Sequence, residues 1–219
     1  MDASLLIFFM ELVSSVISFI VGYFALRAFK TTGSKGLLLL YLGFLVLGIG
    51  IFLRFVTATY VGMILRVTST LGHPRLTRLV NLTALIYMGT QLVAYGLFTA
   101  TYALQAAHTS ARTAETGVVA AAAAPLVAKL FFIPQLELVA ITLLGFITVY
   151  TFTNWLLKRG TGAALVFLGF GLMLLSHLFF LLIIIEDLSL VFLVLGQTTQ
   201  LAGFICLLTM LAKVSKTNA

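Results

Sequence analysis

Four ionisable residues stand inside long apolar runs of this 219-residue chain: Glu11, Arg54, Glu137 and His177. A charge within hydrocarbon is expensive, so such a side chain faces a partner, a cavity or a pathway. Depth follows from counting helical residues, at about 1.5 Å each, from the nearest polar turn. Glu11 is 19 residues from Lys30 and Arg54 is 18 from Gly36. Both therefore lie roughly 27 Å from the same face, which predicts an ion pair between successive antiparallel helices. Glu137 is 21 residues from Lys158 and His177 is 15 from Gly162. Those two depths differ by roughly 9 Å but fall in the same half of the membrane. Two chemistries compete. Glu11–Arg54 works as a structural clamp, or one member reaches the interface along its own aliphatic stem. Glu137–His177 works as a proton-responsive pair, because histidine changes charge near neutral pH.

Polar residues recur on two later segments, Thr90-Gln91 and Gln197-Thr198-Thr199-Gln200. Amides and hydroxyls within spans bond across helices, each contributing about 1 kcal/mol or less. Gln91, Gln197 and Gln200 are thus helix glue or the lining of a polar pathway.

The elements that carry these residues are set by composition. The chain is 62% hydrophobic and 9% charged, whereas a water-facing domain needs charge at about a quarter of its positions. Apolar segments fall near 5–29, 36–63, 79–104, 117–133, 136–157, 163–185 and 188–211, each close to the about 20 residues that span a bilayer as a helix. The fold class is therefore all-α: a polytopic transmembrane bundle of six or seven spans in the cell membrane. The net charge of +7 comes from single or paired basic residues at segment ends, where lipid headgroups and topology place them, so nucleic acid is not an expected partner. The first run lacks a basic leader and a small-residue cleavage site, and reads as a retained span. Cys206 is the single cysteine, which excludes an intrachain disulfide.

An internal repeat organises the chain. Met10-Glu11-Leu12-Val13 recurs 126 residues later as Leu136-Glu137-Leu138-Val139. The same offset carries Gly36 onto Gly162 and Leu42-Gly43-Phe44 onto Leu168-Gly169-Phe170. An offset of 107 carries Gly89 onto Gly196 and Gly96 onto Gly203. The expected division is a three-helix repeat over 1–112, a linker or further span over 113–133, and a second repeat over 134–219. Each repeat offers a carboxylate on its first helix and a cationic or protonatable partner on its second.

Topology turns on the alanine-rich stretch 117–133. If it spans, the repeats are parallel; if not, they are inverted. Lys and Arg favour the cytoplasmic side of short loops. Seven spans with the N-terminus outside put Arg27, Lys30, Lys35, Arg112, Lys158, Arg159, Lys213 and Lys216 inside, against Arg66, Arg75, Arg78 and Lys129 outside. That split favours seven over six, although Phe131 to Gln135 lacks a polar turn.

Signatures of catalysis are missing: no nucleophile elbow, phosphate loop, metal-ligand spacing or Cys-x-x-Cys is present. An enzyme is not expected, nor a bound cofactor. Buried bis-histidine haem ligation needs two histidines at one depth, and only His177 lies clearly inside a span; His73 and His108 do not.

Two resemblances bear on the fold. Pro134-Gln135 is similar to the Pro-Gln motif of sugar transporters built as three-plus-one-plus-three helices. The 23 residues from Gln135 to Lys158, and Phe8-Phe9 in the first repeat, depart from that pattern. Leu42-Gly43-Phe44, Leu168-Gly169-Phe170 and Leu195-Gly196 through Gly203-Phe204 resemble small polytopic membrane proteins of thermophilic archaea, a resemblance that implies no activity and transfers no site.

The leading expectation is a small-solute or proton-linked transporter lined by Glu11, Arg54, Glu137 and His177, since duplicated repeats enclosing polar groups are common in transporters. The alternatives are a non-catalytic subunit or sensor acting through a partner membrane protein or further copies of the chain, and a haem-carrying electron-transfer subunit.

Overall fold

The computed structural model describes residues 3–68, 74–109, 133–186 and 189–217. Among them are six helices: α1 (Ala3–Thr32), α2 (Lys35–Thr68), α3 (Pro74–Thr109), α4 (Ile133–Lys158), α5 (Thr161–Glu186) and α6 (Ser189–Thr217). Each holds a stretch long and apolar enough to cross a membrane. The stretch 117–133, on which the seventh span depends, lies outside the described residues except for Ile133. The helices are apolar around their whole circumference because one side meets lipid and the other the bundle. Phe9, Tyr23, Val149, Leu157 and Val191 point outward and are exposed.

Sequence punctuation fixes the helix ends. Pro74 opens α3, where its fixed φ suits the first turn and its missing N–H has no helical partner to lose. The α1–α2 turn uses Gly33 at φ 68, whose N–H closes on the Phe29 carbonyl at 2.8 Å. In the α4–α5 turn Arg159 does the same work at φ 47, its N–H reaching the Trp155 carbonyl at 2.7 Å. Such left-handed C-terminal residues satisfy carbonyls that a helix end leaves open.

The six helices close into a ring. Each packs on its neighbours in chain order, and α6 returns to pack on α1. Contacts at both ends of each seam give the directions. Glu11 meets Arg54 while Ser18 meets the Phe44 carbonyl, so α1 and α2 are antiparallel. The bonds Thr83–Thr57 and Thr101–Gly36 make α2 and α3 antiparallel. Glu137–His177 and Trp155–Phe167 do so for α4 and α5, and Phe179–Phe192 and Lys213–Thr161 for α5 and α6.

The seam between α3 and α4 differs. Thr83, Ala84 and Tyr87 share a cavity wall with Glu137, and fifteen residues beyond Tyr87 the Tyr102 ring packs on Tyr150 at 5.4 Å. Both helices therefore run the same way, and so do α1 to α3 and α4 to α6 as units. The chain leaves α3 at one face and enters α4 at the other.

Four phenylalanines from α2, α3, α5 and α6 meet in the middle of the ring. Phe44–Phe98 centroids are 4.6 Å apart, Phe98–Phe170 5.7 Å and Phe44–Phe204 6.5 Å. Tilted and edge-on contacts of this kind add about 0.5–1.5 kcal/mol per pair beyond burial. Lys30, Lys35, Lys158, Arg159 and Lys213 sit on the face beyond this aromatic layer. Glu11, Arg54, Glu137 and His177 lie on its other side.

Candidate functional site

Glu11 stands in the third turn of α1, buried. Arg54 Nε lies 3.0 Å from Glu11 Oε1, and its guanidinium sits 4.7 Å over the Tyr87 ring. Arg54 is thus held on one side by charge and on the other by a π face. Tyr87 anchors a second set of contacts. Its hydroxyl accepts a hydrogen bond from Gln91 Nε2 at 2.7 Å. Gln91, Gln197 and Gln200 are all buried.

Across the ring, Glu137 and His177 form a second pair. His177 Nδ1 lies 2.6 Å from Glu137 Oε2, and His177 Nε2 lies 2.7 Å from the Tyr95 hydroxyl. His177 is fully buried. A carboxylate partner selects the tautomer with hydrogen on Nδ1, so Nε2 accepts from the Tyr95 O–H. When the ring gains a second proton both nitrogens donate, and the tyrosine oxygen becomes the acceptor. In either state both nitrogens are engaged, and neither offers a lone pair to iron or zinc in this arrangement. Among the described residues no group of three His, Cys, Asp or Glu could hold a metal ion.

Both carboxylate–cation pairs expected from spacing come together. For Glu137–His177 the axial offset of roughly 9 Å, counted on ideal straight helices, does not keep the partners apart, because such counting ignores helix tilt and side-chain reach. Spacing alone also missed the tyrosines. Tyr87, Gln91 and Tyr95 follow one another at i, i+4 and i+8 on α3. That period places them on a single helix face, so the polar stripe was readable once Gln91 was taken as its centre.

The two pairs belong to one cluster. Arg54, Tyr87 and Glu137 line the same cavity of about 350 Å3, together with Thr57, Thr83 and Phe180. Glu137 lies within electrostatic reach of Arg54, Tyr87 and Tyr95. Three buried polar atoms near this level have no hydrogen-bond partner: Glu11 Oε2, Ser14 Oγ and Gln200 Nε2. Orphaned buried atoms at a functional level are groups that a water or a ligand would satisfy.

His73 and His108, and the polar pair Glu186-Asp187, contribute no described side chain. The same holds for Pro134-Gln135. The chain matches no protein-family model, no curated protein and no solved structure.

Proposed function

We propose that this chain is a small-solute or proton-linked membrane transporter whose solute sits in the cavity between Arg54 and Glu137. One observation carries the reading: a partly open cavity of about 350 Å3 between α2, α3, α4 and α5, bordered by Arg54 and Glu137, one member of each carboxylate pair. Structural clamps do not need an adjoining cavity, and an apolar bundle gains nothing by enclosing charges in hydrocarbon. The aromatic layer of Phe44, Phe98, Phe170 and Phe204 closes the route towards the basic face, as one end of an alternating-access pathway must be closed.

The architecture we infer is two duplicated three-helix units of the same orientation joined by a seventh crossing. Its support is the parallel course of α3 and α4, since a chain leaving one face and re-entering at the other has to cross between them. Twenty-three residues, 110–132, are available for the passage, which at about 1.5 Å per residue is enough for one helical span. Gly33 and Arg159, related by the same 126-residue offset as Glu11 and Glu137, support the duplication. Basic residues gathered on one face orient that face to the cytoplasm.

The test is flux. Protein reconstituted into vesicles is offered a panel of small amines, carboxylates, sugars and inorganic ions, with a pH-sensitive dye inside. Solute or proton flux above that of empty vesicles, lost in Glu137→Gln, supports the reading. Flux equal to that of empty vesicles across the whole panel overturns it.

A further inference from the structure

The ionisable groups inside the ring do not balance. Glu11 and Glu137 supply two carboxylates, and Arg54 supplies one permanent cation. Arg54 is committed to Glu11 at 3.0 Å. Glu137 is left to His177, and the pair is neutral only when one proton is shared between them beyond that of a neutral imidazole. With a neutral imidazole the interior holds one negative charge in excess, and it resides on the carboxylate that lines the cavity. An uncompensated charge at this depth draws in a positive partner. That partner is either a proton on the Glu137–His177 pair or a cation in the cavity.

The walls select the kind of cation. A bare alkali or alkaline-earth ion asks for about six or more oxygen ligands. Beside Glu137 the cavity offers the hydroxyls of Thr57 and Thr83, which already bond each other at 3.2 Å. Ala84, Met88 and Phe180 make much of the rest of the wall apolar and aromatic, and Arg54 and Tyr87, held against Glu11 and against each other, complete it. A volume of about 350 Å3 is at the small end of organic-ligand cavities, and a thioether and a phenyl ring suit an alkylammonium body.

We infer that the cavity binds one small organic monocation, an alkylamine or quaternary ammonium, against Glu137, in one-for-one exchange with a proton held by the Glu137–His177 pair. The inference rests on the reading of this cavity as the solute position. Charge is conserved in the exchange: when the pair takes a proton from water it becomes neutral, and the cation leaves. The groups that face the pair are Arg54 from α2, Tyr87 and Tyr95 from α3, and Glu11 from α1 through Arg54. The α6 helix brings the neutral Gln197 and Gln200. Arg54 keeps its charge and the two glutamines carry none, so the Glu137–His177 pair is where a proton competes.

Equilibrium binding of benzyltrimethylammonium to the full-length protein in detergent, over a series of pH values, tests the exchange without any flux. The wild type is expected to bind more tightly as pH rises, Kd falling about tenfold per pH unit while the pair gives up its shared proton, and then to level off. Glu137→Gln is expected to weaken binding at least thirtyfold and Glu137→Asp to restore most of it. His177→Gln keeps binding but removes the pH slope. Phe180→Trp, which fills the cavity and leaves every charge in place, weakens binding at least tenfold even if the Glu137 variants do not fold. The inference is overturned if the uncharged carbon isostere of the probe binds as tightly, or if Kd ignores both pH and Glu137. Cation binding without vesicle flux would sink the transporter reading alone. Flux of neutral or anionic solutes without cation binding would sink this inference alone.

Discussion

Gly33 and Arg159 stand 126 residues apart, and both hold the left-handed backbone conformation that ends a helix, at φ 68 and φ 47. Glycine enters this region freely, whereas a residue with a Cβ carries about 1–2 kcal/mol of strain there. The second turn keeps its shape despite its residue type, because the Arg159 N–H closes on Trp155 and the Ala164 N–H on the Gly160 carbonyl at 3.1 Å.

Arg159→Gly should therefore stabilise the protein by about 1 kcal/mol, and Gly33→Ala should destabilise it by a similar amount. Thermal unfolding in one detergent, with wild type run alongside, reads both changes. Tm rising for the first and falling for the second is the expected pattern. A fall for Arg159→Gly would mean that the side chain supplies more than the turn costs.

Topology has its own test. Tyr102 against Tyr150 and Tyr87 beside Glu137 make α3 and α4 parallel, so their nearest ends in sequence belong to opposite faces. With Cys206 replaced by alanine, a cysteine introduced at Thr109 should be labelled by an impermeant maleimide from the same side as one at Ser34. A cysteine at Gln135 should be labelled from the other side. Labelling of Thr109 and Gln135 from one side would return the fold to six spans with inverted units.

The bundle itself was legible in the apolar run lengths, since hydrocarbon thickness dictates helix length directly. So was the partner of Glu11, because depth is a linear count along a helix, whereas Glu137 and His177 were paired by their places in the repeat and by the shared half of the membrane, not by matching depth. What spacing could not supply was the ring order. Apolar all-round helices such as α5 show no preferred face, so nothing in one dimension says that α6 closes on α1 or that Tyr95 reaches across to His177. Tyr87 and Tyr95 were hidden for a related reason: tyrosine is common at apolar positions, and its hydroxyl declares itself only when a partner is in place.

Close approach of α5 and α6 depends on two glycines. A Cβ at Gly203 would stand 2.7 Å from the Gly169 carbonyl oxygen, which is backbone and moves only with its helix. Gly203→Ala should cost about 1–3 kcal/mol through overpacking. Gly89 has open space around its missing side chain, so Gly89→Ala should be neutral or slightly stabilising. Comparing Tm for the two variants separates packing at Gly203 from the general effect of adding a methyl group to a helix. Equal shifts would deny the close contact.

Removing the Tyr95 hydroxyl probes the His177 chain without touching its charges. In Tyr95→Phe the ring still packs, with His177 edge-on at 5.3 Å and Phe98 at 6.3 Å, but Nε2 loses its partner at 2.7 Å. A buried nitrogen left unsatisfied costs about 1–3 kcal/mol, and the loss should appear as a lower Tm. An unchanged Tm would indicate that water replaces the hydroxyl.

The Glu11–Arg54 pair separates clamp from pathway. Arg54→Met removes the cation and strands a buried carboxylate, which costs about 3–5 kcal/mol for a pair broken from one side. The Arg54 side chain is 28% exposed against 4% for Glu11, so an unpaired guanidinium is less enclosed than an unpaired carboxylate, and Glu11→Gln should be the milder single change. The double variant Glu11→Gln/Arg54→Met leaves no charge to strand and should recover most of the stability lost by Arg54→Met alone. Its flux is then decisive for role. A stable double variant that transports like the wild type makes the pair a clamp. A stable double variant with no transport makes Arg54, which lines the cavity beside Glu137, part of the pathway itself.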